Sequence, residues 1–322
     1  MKQNNETKRV KENIIFVPFA YLEKKQTGSN ISKKDKTIEI YLKNASVALI
    51  SAKRQNPTCT VAFITNLQEH QIPKFFLDLF EKHSIEVFYI PFDEFLFGDE
   101  CRWGLAFYKL CALTHLIEEK YQNYCWLDAD IWVQGPFEAI WEEVRHSILL
   151  YDINHGLNTK NYRVLCNEVQ AFTKKEKYVT HFGGEFFAGN YVNTKLFIER
   201  AKLIFNEMRQ LSFVTTKGDE FITSIVADDI PQLIKNAAPY IFRFWTSNFR
   251  LVSTCYQYNK VLILHVPDEK EIGMLGLFER YIKRRKIPKE KTVWRALGIS
   301  RPHYVRLLKM RVIKLFFKRR RK

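Results

Sequence analysis

The sequence predicts an α/β protein with a mainly parallel, Rossmann-type sheet flanked by helices and a basic helical appendage at its C-terminal end. Three observations carry this reading. Apolar runs of strand length alternate with longer segments of helical pattern. Of the 322 residues, 46% are hydrophobic and 15% aromatic, enough to bury a real interior. The positive charge is gathered at one end of the chain rather than spread along it.

Ile14 to Phe19, rich in β-branched and aromatic residues, reads as a buried strand. A polar stretch from Lys24 to Lys36 leads to a helix near Ile38 to Arg54, a strand at Thr60 to Thr65, a helix at Ile72 to His83 and a strand at Ile85 to Pro91. This rhythm implies βαβ units, whose ligands collect beyond the carboxyl ends of the strands. Trp103 to Glu119 reads as one apolar helix, and Tyr124 to Asp128 and Ile148 to Ile153 as strands. A polar loop is expected from Asn154 to Lys177 and a Gly-rich segment at Phe182 to Asn190. Helices follow at Thr194 to Leu211 and Gly218 to Ala227, then strands near Tyr240 to Phe244 and Val261 to Val266.

No run approaches 18 uninterrupted apolar residues, and Met1 to Glu12 is polar, so neither a membrane-spanning helix nor a secretory signal is expected. The six cysteines, at 59, 101, 111, 125, 166 and 255, show no CxxC spacing and read as reduced core residues of a cytosolic protein. The net charge of +16 is a property of the tail. Arg280 to Lys322 holds 18 of the 51 Lys and Arg with Glu290 as its one acid, which leaves 33 basic and 34 acidic residues before it. The boundary expected on this ground separates a body at 13–279 from an appendage at 280–322.

The chemistry concentrates at Tyr124-Cys125-Trp126-Leu127-Asp128-Ala129-Asp130, where a buried strand runs into two carboxylates. Residues two apart in extended backbone point the same way, so Asp128 and Asp130 can present oxygens to one side. Two like charges this close repel unless a cation lies between them. A hard divalent ion, manganese or magnesium, suits such a pair and keeps open positions for phosphate oxygens. The alternative is an ordinary turn, with Asp128 beginning it and Asp130 capping it.

With Ile131-Trp132-Val133 and the Gly135-Pro136 turn behind it, this segment resembles the DxD motif of GT-A fold glycosyltransferases. The retaining enzymes of glycosyltransferase families 8 and 6 are the most similar, and the likeness covers about residues 13 to 267. It implies a GT-A-like fold, a nucleotide-diphosphate sugar donor (a UDP-sugar first among them), a glycan or glycolipid acceptor and retention at the anomeric carbon. It implies further that Phe182-Gly183-Gly184-Glu185 through Asn190 lies along the donor sugar. There the glycines allow close approach, and Glu185 or Asn190 meets sugar hydroxyls. Consecutive glycines in a plain turn are the other reading. Asp219 and Glu220 are similar to the acidic pair near the anomeric carbon in family 6, although Gly218 stands where a histidine is usual. Acting as nucleophile, base or transition-state stabiliser competes with a simple helix cap and a dipole partner. His265, after the last apolar strand, resembles the third metal ligand of family 8, with Lys270 on the diphosphate. Arg102 and Lys109 share a side of the apolar helix; Arg102 is favoured for donor contact over a solvent-facing role. Tyr21 and Asp93 stand where such enzymes hold base and ribose.

From His303 to Lys318 the apolar residues Tyr304, Val305, Leu308, Val312, Leu315 and Phe316 share one stripe, away from Arg311, Lys314 and Lys318. A basic amphipathic helix suits an anionic membrane surface, which implies a peripheral protein on the cytoplasmic face; a terminal helix docked on the body is the alternative. Two other functions compete with sugar transfer. A sugar-phosphate nucleotidyltransferase usually carries a glycine-rich phosphate loop after its first strand, and Phe16 to Lys25 contains no glycine. A nucleic-acid-binding protein would use the tail, but no nucleic-acid module is apparent, and no nucleic acid is expected as a partner.

Overall fold

The computed structural model describes residues 12–23, 36–153, 156–247 and 261–299, with positions 305, 308, 311 and 312 beyond them. The elements come in chain order as β1 (Ile14–Phe19), α1 (Thr37–Gln55), β2 (Thr60–Thr65), α2 (Lys74–Lys82), β3 (Glu86–Tyr89), α3 (Tyr108–Ile117), β4 (Asn123–Leu127), β5 (Ile131–Val133), α4 (Glu138–Glu143) and β6 (Ile148–Asp152). There follow α5 (Lys160–Thr173), β7 (Phe182–Asn190), α6 (Tyr191–Gln210), α7 (Asp219–Asp229), β8 (Ile234–Asn236), β9 (Ile241–Arg243), β10 (Ile263–His265), α8 (Gly273–Leu277) and α9 (Glu290–Ala296). Among the described residues no helix is long and apolar enough to cross a membrane.

Seven strands form one sheet in the order β3-β2-β1-β4-β7-β6-β8, parallel throughout except that β7 runs antiparallel to both its neighbours. This is the mainly parallel α/β architecture the alternation predicts. Strand alternation feeds two cores: Ile15, Val17 and Phe19 pack on the α1 side, while Ile14 and Phe16 pack on the α3, α6 and α7 side. A second sheet, ordered β5-β10-β9, continues from the first, because Asp128, Ala129 and Asp130 form the turn between β4 and β5. β1 pairs with β4 only through Phe16, so Pro18 lies beyond the last pair of those two strands, where a missing N–H costs no bond across to β4. A cleft opens at this edge.

Several expectations need correction. The polar stretch 154–177 contains α5, capped by Thr159, whose side chain accepts from the Tyr162 N–H; it buries Tyr162, Leu165, Val169 and Phe172 at helical spacing. The helix expected over Trp103 to Glu119 divides into a 3₁₀ turn (Gly104–Phe107) and α3. The Gly-rich segment is a central strand over its whole length, β7, so its consecutive glycines do not form a turn. The boundary expected at 279/280 falls inside continuous packing: Ile282, Val293, Leu297 and Ile299 are buried in the α1-side core, and Trp294 Nε1 donates to Gln134 Oε1 at 2.9 Å. Positions 305, 308, 311 and 312 are helical, with Val305, Leu308 and Val312 exposed. Tyr304, Leu315 and Phe316, like Cys255, lie outside the described residues; the other five cysteines are free.

If residues 280–299 belong to the body, Leu297→Ala should cost about 2–5 kcal/mol in urea denaturation, as for any fully buried leucine. A change within about 0.5 kcal/mol, as at a surface position, would return that segment to the appendage.

Candidate active site

A cavity of about 460 Å³ opens at the carboxyl ends of β1 and β4, walled by the start of β7, the first turn of α7 and the small sheet. Asp128 and Asp130 both line it. Their turn is pinned by the main chain on two sides. The Asp128 N–H donates to Glu185 O at 3.0 Å, and the Val266 N–H donates to Asp130 O at 3.0 Å. The carboxylates therefore sit where the two sheets meet.

His265 ends β10 beside them, 97% buried. Its Nε2 lies 3.4 Å from Asp130 Oδ2 and 3.8 Å from Asp128 Oδ2, buried and without a hydrogen bond. On the other side of the ring, Nδ1 is 3.2 Å from Glu185 Oε1. An ionised carboxylate only accepts, so Nδ1 carries a proton. Burial lowers the ring, but Asp130 and Glu185 raise it to about 9, so Nε2 is protonated as well near neutral pH and offers a lone pair toward the aspartates only once a cation displaces that proton. One ligand atom from each of Asp128, Asp130 and His265 lies within 4.8 Å of the others. Two carboxylate oxygens and an imidazole nitrogen fit manganese or magnesium, and the orphaned nitrogen is the mark of a fit.

Three long cations balance the carboxylates. Lys109 Nζ lies 3.0 Å from Asp128 Oδ1 and 3.3 Å from Asp219 Oδ2, and donates to Gly184 O at 2.7 Å. Lys270 Nζ lies 2.5 Å from Asp130 Oδ2. Arg243 holds Glu185 in a two-pronged pair, Nε to Oε1 at 2.6 Å and Nη2 to Oε2 at 2.5 Å, and reaches Glu220 Oε1 at 3.5 Å. Burial pushes Asp130 up, but Lys270 and His265 together hold it well below the usual carboxylate range. Burial likewise raises Glu185, and Arg243 with His265 brings it well below. Asp219 behaves differently. Burial raises it to about 6 despite Lys109, with Glu220 and Asp128 adding to the rise.

The structure brings Tyr21, Asp128, Asp130, Gly184, Glu185, Asp219, Glu220, His265 and Lys270 to this cavity. Gly184 faces inward so closely that a Cβ there would stand 2.3 Å from Asp219 Oδ2 and 2.9 Å from Lys109 Nζ; a Cβ on the adjacent Gly183 would meet Glu185 and Arg243. The capping alternative for Asp219 fails. Gly218 is the cap residue, at φ 65°, and a Cβ there would stand 2.9 Å from Trp103 Cβ, which accounts for a glycine in place of histidine.

Three expected donor-binding residues lie elsewhere. Asn190 is at the opposite end of β7, its side chain accepting from the Asn193 N–H and donating to the Val144 and Arg145 carbonyls. Exposed Arg102 stacks over Trp103 at 5.3 Å, and Lys109, one of the two basic residues on that segment, occupies the site instead. Asp93 bonds His115 rather than reaching the cavity. Both carboxylate oxygens of Glu185 are engaged, Oε1 by Arg243 Nε and His265 Nδ1 and Oε2 by Arg243 Nη2. Sequence reasoning missed Arg243 and also His181, whose Nε2 lies 3.0 Å from Glu220 Oε2. A charged residue inside the apolar run Tyr240 to Phe244 was the available signal for the first.

No protein-family model and no curated protein matches the sequence. Among solved structures, the apo structure of the WbbM bifunctional glycosyltransferase superposes with a TM-score of 0.54 at 9% identity, over 95% of this chain and 52% of that one. The apo form of mouse xyloside xylosyltransferase 1 superposes with a TM-score of 0.45 at 12% identity, over 80% of this chain and 98% of that one. The chain thus spans about half the length of the WbbM chain, and at that identity it shares the fold.

Removing one partner of the Glu185–Arg243 pair leaves a buried charge alone. Arg243→Met should cost about 3–5 kcal/mol by chemical denaturation, and adding Glu185→Gln should recover most of it, since Gln still accepts from His265 Nδ1. A single-variant loss below about 1 kcal/mol would contradict the burial of this pair.

Proposed function

We propose that this chain is a metal-dependent, GT-A-like glycosyltransferase that moves a sugar from a nucleotide diphosphate, a UDP-sugar first among the candidates, to a hydroxyl of a surface polysaccharide or lipid-linked glycan, with retention. The observation that carries this is the convergence of Asp128, Asp130 and the orphaned Nε2 of His265 in a cleft at the carboxyl ends of parallel strands. The glycosyltransferase fold shared with WbbM supports it over a nucleotidyltransferase or a nucleic-acid-binding protein.

On this reading Asp128, Asp130 and His265 hold manganese or magnesium, which would supply charge neutralisation to a departing diphosphate. Lys270, already lining the cavity beside Asp130, contributes positive charge from the protein itself, and Tyr21 offers a wall for the nucleotide base. Gly184 leaves room for Asp219 and Lys109, which close over its backbone and so face the cavity from one wall. Asp219 is the acid placed to act at the anomeric carbon or on the acceptor hydroxyl. With its carboxyl raised to about 6, it can hold or release a proton near neutral pH. Glu220 is held by His181 and Arg243, which orients it toward the same wall.

Purified protein incubated with a panel of nucleotide sugars should hydrolyse or transfer from one donor when manganese is present and none when it is chelated. Asp130→Asn should lower that turnover by about 100-fold or more. Folded protein that leaves every donor intact with manganese would sink the reading.

We also place the chain at the cytoplasmic face of an anionic membrane. Support comes from the exposed helical positions Val305, Leu308 and Val312 within a segment rich in Arg and Lys. A chain ending at residue 299 should sediment with anionic vesicles much less than the full chain, with the difference shrinking at high salt. Equal sedimentation of both would remove residues 300–322 from membrane binding.

A further inference from the structure

Two groups among the described residues bring three metal-ligating atoms within 4.8 Å of one another; the second is Asp93, Cys111 and His115. It stands apart from the cavity, and the sugar-transfer reading does not use it. Cys111 and His115 are four residues apart on α3, hence on one face of the helix. Asp93 comes from the segment after β3 that folds over this face. That segment is tied down independently, since Tyr108 Oη donates to Ile90 O at 2.8 Å and Cys111 Sγ approaches Pro91 O at 3.3 Å. The three side chains are thus set by packing that does not depend on a ligand.

We propose that Asp93, Cys111 and His115 form a second cation site, and that it takes zinc. The donor set decides the metal. One sulfur, one imidazole nitrogen and one carboxylate oxygen match a borderline-soft ion, whereas the carboxylate pair at Asp128 and Asp130 suits a hard one. The spacing agrees. Tetrahedral zinc with bonds of roughly 2.0–2.3 Å holds its ligand atoms about 3.3–3.6 Å apart. Cys111 Sγ is already 3.6 Å from Asp93 Oδ1, while His115 Nε2, at 2.8 Å from the same oxygen, needs to open by only about 0.5 Å. Binding replaces the S–H bond of Cys111 with a sulfur–metal bond, the thiol proton leaving to solvent. It also replaces the contact between His115 Nε2 and Asp93 with two metal bonds, the Nε2 proton moving through solvent to Nδ1 of the neutral ring or leaving to solvent from the charged one. Cys111 is fully buried, while His115 is partly exposed and Asp93 exposed, so the ion enters from solvent and a water completes the fourth position. Its effect is to fasten the segment after β3 to the helix that carries Lys109.

Cobalt serves as a spectroscopic probe for zinc. The full chain, stripped with chelator and titrated with cobalt, should develop a thiolate-to-cobalt charge-transfer band in the near ultraviolet at one equivalent, and added zinc should bleach it. Cys111→Ser should abolish the band, and His115→Ala, at a partly exposed position, should weaken cobalt binding by about tenfold or more. Asp128→Asn with Asp130→Asn should leave the band intact, because no thiol lies among those ligands. Absence of the band at saturating cobalt would overturn the proposal, as would a band unchanged by His115→Ala. That second variant keeps the test decisive if Cys111→Ser fails to fold.

Discussion

Glu185 sits where β4, β7 and the small sheet converge, with its side chain closed to solvent, so its charge must be answered from inside the protein. Arg243 from β9 answers it with a two-pronged contact, and His265 from β10 lends its Nδ1 proton. Isolated, a buried carboxylate of this kind would stay protonated and a buried guanidinium would not be tolerated; together they fix the distance between the two sheets. The ring orientation of His265 follows, and with it the direction in which Nε2 faces Asp128 and Asp130. One buried ion pair thus helps set the geometry of the cleft that both partners line.

The place of the cleft is a consequence of topology. A uniformly parallel sheet would bring every carboxyl end to the same edge, but β7 enters reversed and delivers its first residues there instead. That is why Gly184 and Glu185, rather than Asn190, share the cleft with the Asp128–Asp130 turn. It also explains the glycines. Trp126 stacks on Phe187 at 4.7 Å and donates from Nε1 to Gly184 O, so the backbone is drawn close to the aspartates with no room for a side chain. Pro18 ends the pairing of β1 with β4 on the other flank, and the cavity occupies the gap.

What was legible in the sequence was what is local. Asp128 and Asp130 are two residues apart on a strand end, His265 closes an apolar run, and each apolar segment declares its own period. Contacts between distant residues were not legible. Glu185 and Arg243 are 58 residues apart, His181 and Glu220 are 39, and Asp130 and Lys270 are 140. Arg102 and Lys109 pose the same difficulty on a smaller scale. Their spacing assumes one continuous helix, yet the 3₁₀ turn at Gly104–Phe107 rotates the first away while α3 aims the second at the cavity. The helix at Lys160–Thr173 was hidden by its polar composition, although its four buried residues recur at helical spacing. Asn190 read as a sugar ligand because it ends a glycine-rich run; its side chain instead serves as a helix cap, a common use for asparagine.

The surplus positive charge acquires a different meaning once residues 280–299 are seen to be packed. Lys283, Arg284, Arg285 and Lys286 are exposed beside Ile287, itself 62% exposed, and Lys289, Lys291 and Arg295 follow on the surface around α9. These cations are not free to wander, since Ile282 on one side and Val293 and Leu297 on the other are buried in the core. A flexible polybasic tail gains about 1 kcal/mol per cation at an anionic surface but imposes no orientation. A rigid basic face does impose one, because the same core joins it through α1 to the turn that carries Asp128 and Asp130. On the proposed reading, residues beyond 299 would add affinity, whereas the packed segment would decide which way the cleft faces a lipid-linked acceptor.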